Sequence, residues 1–106
     1  LGGFSFGAYV QTRVAQALAE ANHPAQRLVL VGTAAGHVEG ARQYAAKAVA
    51  SDTIVIHGSV DETVPLANVL AWAQPLDVSV VVVPGADHFF HRRLHLIREI
   101  IIRAWR

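Results

Sequence analysis

The chain has 106 residues, a formal net charge of +1, no cysteine, and 53% hydrophobic against 16% charged residues. That length suits one small domain with its own core, and the near-neutral charge argues against a nucleic-acid binder, whose footprint is a basic stripe. Without cysteine there is no disulfide framework and no thiolate nucleophile, and no run of about 20 apolar residues that would predict a membrane span is visible in these residues.

The expected setting is therefore cytoplasmic, with neither nucleic acid nor membrane as partner. The apolar share is high for so short a chain, which has much surface to cover. It leads to the expectation that part of the apolar surface meets further protein.

The first stretch is LGGFSFGAY. Gly3-Phe4-Ser5-Phe6-Gly7 fits G-x-S-x-G, a pattern that sets a serine on a sharp turn between a buried strand and a helix. Small neighbours let the backbones approach closely at such a turn. Only four residues precede Ser5, so no room for that strand is expected. Taken alone, these five residues fit equally a glycine-rich loop with Ser5 as a helix cap.

A helix is predicted over Gly7 to Ala21, stopping at Asn22-His23-Pro24. The run RLVLVG, Arg27 to Gly32, reads as a strand, and the alanine-rich stretch Glu39 to Ala50 reads as a helix. TIVIHG, Thr53 to Gly58, is the next strand, followed by a short helix over Leu66 to Ala73 after Pro65. VSVVVVP, Val78 to Pro84, is the last strand. His91 to Trp105 closes the chain as a helix with Leu94, Ile97, Ile101 and Trp105 at helical spacing. Its Arg92, Arg93, Arg98, Arg103 and Arg106 read as a solvated face and a C-terminal end suited to the helix dipole.

The three strands are continuously apolar rather than alternating, as in a parallel sheet covered on both faces. The expected fold is therefore a three-layer α/β architecture, one domain over 1–106, with a mostly parallel sheet of about three strands. An open first edge of such a sheet would be an aggregation hazard unless covered.

Open α/β sheets place ligands outside the carboxyl ends of their strands. Asp61, in HGSVDETVP, follows the second strand there, and a carboxylate in that place can orient an imidazole. Glu62 is the competing carboxylate, and a turn or cap is the plainer role for Asp61. His88, in PGADHFFH, follows the last strand and suits a general base.

Ser5 would be the nucleophile, with the Phe6 backbone N–H at the helix start facing a developing oxyanion. Phe4, Phe6, Phe89 and Phe90 would line an apolar acyl pocket. His88, His91 and His95 are spaced by three and four, so on one continuous helix they would share a face and suit a metal. No carboxylate follows the usual zinc patterns, so no metal is expected, and no cofactor is implied. His57, inside a strand run, reads as a core residue.

Together GGFSFGAYV, IHGSVDETVP and VVPGADHFFH resemble the small bacterial α/β-hydrolases related to dienelactone hydrolase. The order Ser5, Asp61, His88 is the order of that superfamily rather than of the chymotrypsin or subtilisin types. The resemblance covers nearly the whole chain and implies a serine nucleophile at Ser5, an acid at Asp61 and a base at His88. It implies an esterase-like hydrolase acting on small-molecule ester or related acyl bonds.

It implies as well that further strands precede the elbow, so the chain would be the C-terminal portion of the domain. The second oxyanion donor would then lie in that preceding part, and the isolated chain would be a weak enzyme. The chain departs from the group at Arg92, where glycine is usual, and at Ala50-Ser51-Asp52, where a proline is usual. Two rival expectations are an incompetent fragment and a pseudo-hydrolase serving as a binding module.

Overall fold

In a computed structural model, the protein is described at residues 1–22, 28–33, 35–37, 43–44 and 46–104. The main sheet has four parallel strands: β1 (Gly2–Phe4), β2 (Val29–Val31), β5 (Ile54–Gly58) and β6 (Val80–Val83), lying side by side in that order. A short antiparallel pair, β3 (Gly36–His37) and β4 (Gln43–Tyr44), stands apart from it.

A strand does precede Ser5, against the expectation that there is no room for one. Gly2, Gly3 and Phe4 pair with Val29, Leu30 and Val31. The Leu1 carbonyl and the Ser5 N–H extend that ladder, accepting from Val29 at 2.9 Å and donating to Val31 at 2.8 Å. Three residues suffice because a neighbouring strand supplies the hydrogen bonds that an isolated strand of that length lacks. The sheet therefore has four strands rather than three.

Successive strand residues face opposite sides, and the core divides accordingly. Leu30 and Val55 pack with Ala8 of helix α1 (Phe6–Glu20) and with Val69 and Ala73 of helix α2 (Leu66–Ala73). Val29, Val31, Ile56 and Val83 pack on the other face with Ala86 and Phe90. There they meet Leu96, Ile97, Ile100 and Ile101 of helix α3 (Leu94–Ala104). Helices on both faces explain the unbroken apolarity of β2 and β5, and the architecture is the three-layer α/β fold expected.

Helix α1 ends as the sequence indicates, with Asn22 at a φ of 63° in the left-handed region that asparagine tolerates. Helix α3 begins later than expected, at Leu94. Phe90 and Arg92 both have positive φ, 53° and 62°, which breaks any helix running from His91. Leu94 is 66% exposed, so the packed stripe is Leu96, Ile97, Ile100 and Ile101. Trp105 lies outside the described residues.

The helix expected over Glu39 to Ala50 is not found where the segment is described. Gln43–Tyr44 is a strand, and residues 46–50 are not helical. The remainder of that stretch lies outside the described residues. Two side chains hold the segment instead: the Lys47 N–H donates to Thr12 Oγ1 at 3.0 Å, and Trp72 Nε1 donates to the Lys47 carbonyl at 3.2 Å. Alanine content is a weak preference that such tertiary bonds override. Among the described residues no helix is long and apolar enough to cross a membrane.

Candidate active site

The site assembles at the carboxyl ends of β1, β5 and β6. Ser5 sits between β1 and α1 with a φ of 57° and a ψ of −121°, a conformation that a non-glycine residue adopts only when its surroundings hold it. The holding contacts are backbone ones: the Ser5 N–H to Val31 O at 2.8 Å, and the Ser5 carbonyl accepting from the Tyr9 N–H at 3.2 Å.

Gly3 makes the turn possible, since a Cβ there would lie 2.7 Å from both Ala8 Cα and Gly7 O. Gly7, the other glycine of the motif, has open space where its Cβ would be, so close approach is needed at one of the two glycines. The Ser5 side chain makes no capping bond to α1, unlike the plainer reading of the motif.

Its hydroxyl lies instead 2.8 Å from His88 Nε2. His88 Nδ1 lies 2.6 Å from Asp61 Oδ2. An ionised carboxylate only accepts, so Nδ1 carries the ring hydrogen, and Nε2 is left as the acceptor of the serine hydroxyl. Asp61 Oδ1 is occupied separately, by the N–H groups of Thr63 at 2.9 Å and Val64 at 2.7 Å. Asp61 and His88 are both buried, while Glu62 is exposed. The turn-forming role of Asp61 and its contact with the imidazole thus coexist, one on each carboxylate oxygen.

The residues assigned to an acyl pocket separate into two groups. Phe4 and Phe89 stand beside His88, each with its ring centroid 5.1 Å from the imidazole, and Phe6 packs near Tyr9 at 5.7 Å. All three are exposed. Phe90 is a correction: it is completely buried, packed in the core with Ile56 and Val83 against the apolar side of α3.

Phe6 is the first residue of α1, so its backbone N–H stands at a helix N-terminus. A cavity of about 330 Å³ opens beside His88 between Val60, Glu62, Thr63, Asp87 and Phe89. A larger one, about 470 Å³, lies near Leu28 and Thr53 at the amino ends of β2 and β5, the wrong end of the sheet for Ser5.

Asp87 bonds His91 through both the backbone N–H and the ring Nδ1, and these bonds hold its carboxyl below the usual carboxylate range. His91 therefore serves the turn after β6. With α3 starting at Leu94, His88 and His91 precede the helix and do not share a helical face with His95.

Two residues near the site carried no functional signal in the sequence. Gly32, read only as a strand stop, has a φ of 58°, and a Cβ there would lie 3.2 Å from His88 Cε1 and 3.6 Å from Phe4 Cε2. His57, read as core, lies 3.4 Å from the Asp61 carboxylate. For Gly32 the available signal was a glycine at a strand's carboxyl end.

The fold has counterparts among solved structures. An α/β serine hydrolase without a lid from Xanthomonas campestris superposes with a TM-score of 0.78 and 33% identity, over 98% of this chain and 44% of that one. An α/β serine hydrolase homologue from Coxiella burnetii gives a TM-score of 0.77 and 33% identity, over 100% of this chain and 48% of that one. Est1E from Butyrivibrio proteoclasticus, in a structure with ferulic acid bound, shares the fold at 18% identity and a TM-score of 0.70, over 94% of this chain and 55% of that one.

No family model matches the sequence, and comparison with curated proteins gives no significant match. The chain belongs to the α/β-hydrolase superfamily, in agreement with the family resemblance of its motifs. It spans less than half the length of the first two relatives.

Proposed function

We propose that the protein is a serine esterase working through Ser5, His88 and Asp61. The observation that carries this reading is the unbroken path from the Ser5 hydroxyl to His88 Nε2 at 2.8 Å and from His88 Nδ1 to Asp61 Oδ2 at 2.6 Å. In the first step Ser5 Oγ attacks the ester carbonyl carbon as His88 Nε2 takes its proton. Asp61 holds the imidazole in the required tautomer and stabilises its charged form.

The carbonyl oxygen, now an oxyanion, meets the Phe6 N–H at the start of α1. Collapse of the tetrahedral species breaks the bond to the alcohol oxygen, which takes the proton from His88. Water then enters by the same path in reverse, releasing the acid and restoring Ser5. The exposed rings of Phe4, Phe6 and Phe89 favour an apolar acyl or aryl group over a charged one.

The test is covalent. A fluorophosphonate ester is mixed with the protein, and the labelled residue is found by peptide mass spectrometry. A chromogenic acetate ester is assayed in parallel, with Ser5→Ala as the blank. Labelling confined to Ser5, with ester turnover absent from Ser5→Ala, supports the reading. Absence of labelling, or turnover that survives Ser5→Ala, overturns it and leaves a binding module as the better account.

A further inference from the structure

Asp61 is held from a side that the reaction does not touch. His57 lies in β5, fully buried, three residues before the loop position that carries Val60 and four before Asp61. Its Nε2 is 2.8 Å from the Val64 carbonyl oxygen. A carbonyl oxygen only accepts, so this nitrogen carries the hydrogen, and Nδ1 is the bare one. Nδ1 is buried and has no partner among the described residues.

The same Nε2 lies 3.4 Å from Asp61 Oδ2, the oxygen that also receives His88. Burial holds the ring below the ordinary imidazole range and hence neutral, against the opposing influences of the Val64 carbonyl and the Asp61 carboxylate.

Packing alone does not account for an imidazole here. A leucine or phenylalanine would fill the space without leaving Nδ1 unpaired, a cost of roughly 1–3 kcal/mol for a buried acceptor. What an apolar side chain lacks is the N–H at Nε2. That one donor reaches the end of the 60–64 loop and the carboxylate at its beginning.

We propose that His57 is a positioning residue for the acid. Its neutral Nε2–H, directed at Val64 O and flanking Asp61 Oδ2, keeps the carboxylate turned toward His88 Nδ1. The proposal rests on the triad reading and adds to it a residue that touches neither substrate nor reacting atoms. The ionisable groups facing His57 are Asp61 on its own loop and His88 across the sheet end. Asp87 is engaged by His91.

The experiment uses nitrogen-15 and proton NMR of the histidine rings, with ester turnover as a separate arm. In the wild-type protein near neutral pH, His57 is expected as the neutral tautomer with hydrogen on Nε2. The low-field proton between Asp61 and His88 is then followed in His57→Phe and in His57→Gln, whose side-chain nitrogen reaches the place of Nε2.

In His57→Phe, that proton exchanges with water about tenfold faster or more, and kcat falls about 10–100-fold with KM within about twofold, the scale seen when the hydrogen-bond partner behind a metal-ligating side chain is removed. His57→Gln restores both to near the wild-type values. A wild-type His57 found charged or with hydrogen on Nδ1 overturns the proposal. So does a folded His57→Phe with unchanged exchange and turnover, or a folded His57→Gln as impaired as His57→Phe.

Should His57→Phe fail to fold, the wild-type tautomer and the His57→Gln variant decide the matter. If the wild type takes no fluorophosphonate label at Ser5 while the proton behaves as expected, the esterase reading falls and the positioning role stands.

Discussion

Gly58 and Ala86 meet so closely that a Cβ on Gly58 would lie 2.2 Å from the Ala86 carbonyl oxygen. The contact clamps together the two loops that carry Asp61 and His88, each beginning at a strand's carboxyl end. The Val60 N–H bonds the same Ala86 carbonyl at 3.1 Å, so the approach is a hydrogen-bonded junction rather than a chance contact. Gly58→Ala must push the loops apart. We expect a loss of roughly 1–3 kcal/mol in stability, the usual range for overpacking, measured by urea unfolding. Activity measured where the variant is still folded should fall further, because the displacement lies between Asp61 and His88, the proposed acid and base.

Asp61→Asn should leave the fold in place and cost about 10⁴-fold in kcat, the scale seen when an imidazole in a serine triad is left in the wrong tautomer. An asparagine amide directed at His88 donates rather than accepts, so the ring hydrogen moves to Nε2 and the serine hydroxyl loses its acceptor. The rate of fluorophosphonate labelling at Ser5 reports this directly. Labelling at the wild-type rate would show that Asp61 is dispensable.

Phe89 and Phe90 are adjacent and opposite in role. Phe89 is 60% exposed and Phe90 is 0% exposed. Phe90→Ala should cost about 3–5 kcal/mol, as large-to-small changes in a core do. Phe89→Ala should change stability by no more than about 0.5 kcal/mol while raising KM for aryl esters. Urea midpoints and ester kinetics on the two variants separate the roles.

Arg92 stands where glycine is usual in the resembling group, and its φ is 62°. A side chain in that region costs roughly 1–2 kcal/mol, offset in part by the entropy that glycine loses on folding. Arg92 is exposed, so its removal forfeits no core contact. Arg92→Gly is expected to raise stability by up to about 1 kcal/mol, read as a higher urea midpoint.

Acid should weaken the fold through His57. Its folded-state affinity for a proton is lowered, chiefly by burial, so the unfolded chain binds a proton that the folded one refuses. This contribution is fully present above the ordinary imidazole value near 6.5 and is lost as pH falls from there toward the lowered folded value. Asp87, also lowered, adds to the loss only at the lower pH where carboxylates titrate. His57→Gln should flatten the upper part of this fall. Urea midpoints measured from pH 8 to pH 4 on both proteins check the difference in slope.

The fold class was legible because burial on both faces of a parallel strand leaves a mark that no local contact can imitate: unbroken runs such as VLV and IVIHG, whereas VVVV is an edge strand whose Val81 and Val82 are exposed. The carboxyl ends of those runs pointed to Asp61 and His88, and G-x-S-x-G pointed to Ser5, since a sharp strand-to-helix turn demands small residues wherever it occurs.

What depends on long-range partners was not legible. Three residues, Gly2–Phe4, become a strand only because β2 lies beside them. An alanine-rich stretch leaves its helical preference because Thr12 and Trp72 bind its Lys47 backbone from 35 and 25 residues away. Which of two neighbouring phenylalanines faces solvent was decided by the packing of Phe90 with Ile56, Val83 and the apolar side of α3. Whether His57 is mere filling or a donor beside a carboxylate depends on where the 60–64 loop folds back. The sequence by itself thus determined which segments are buried and which residue types stand at their ends, because periodicity and small-residue demands are local. Only the tertiary structure decided distances, since these are set by backbones far apart in the chain.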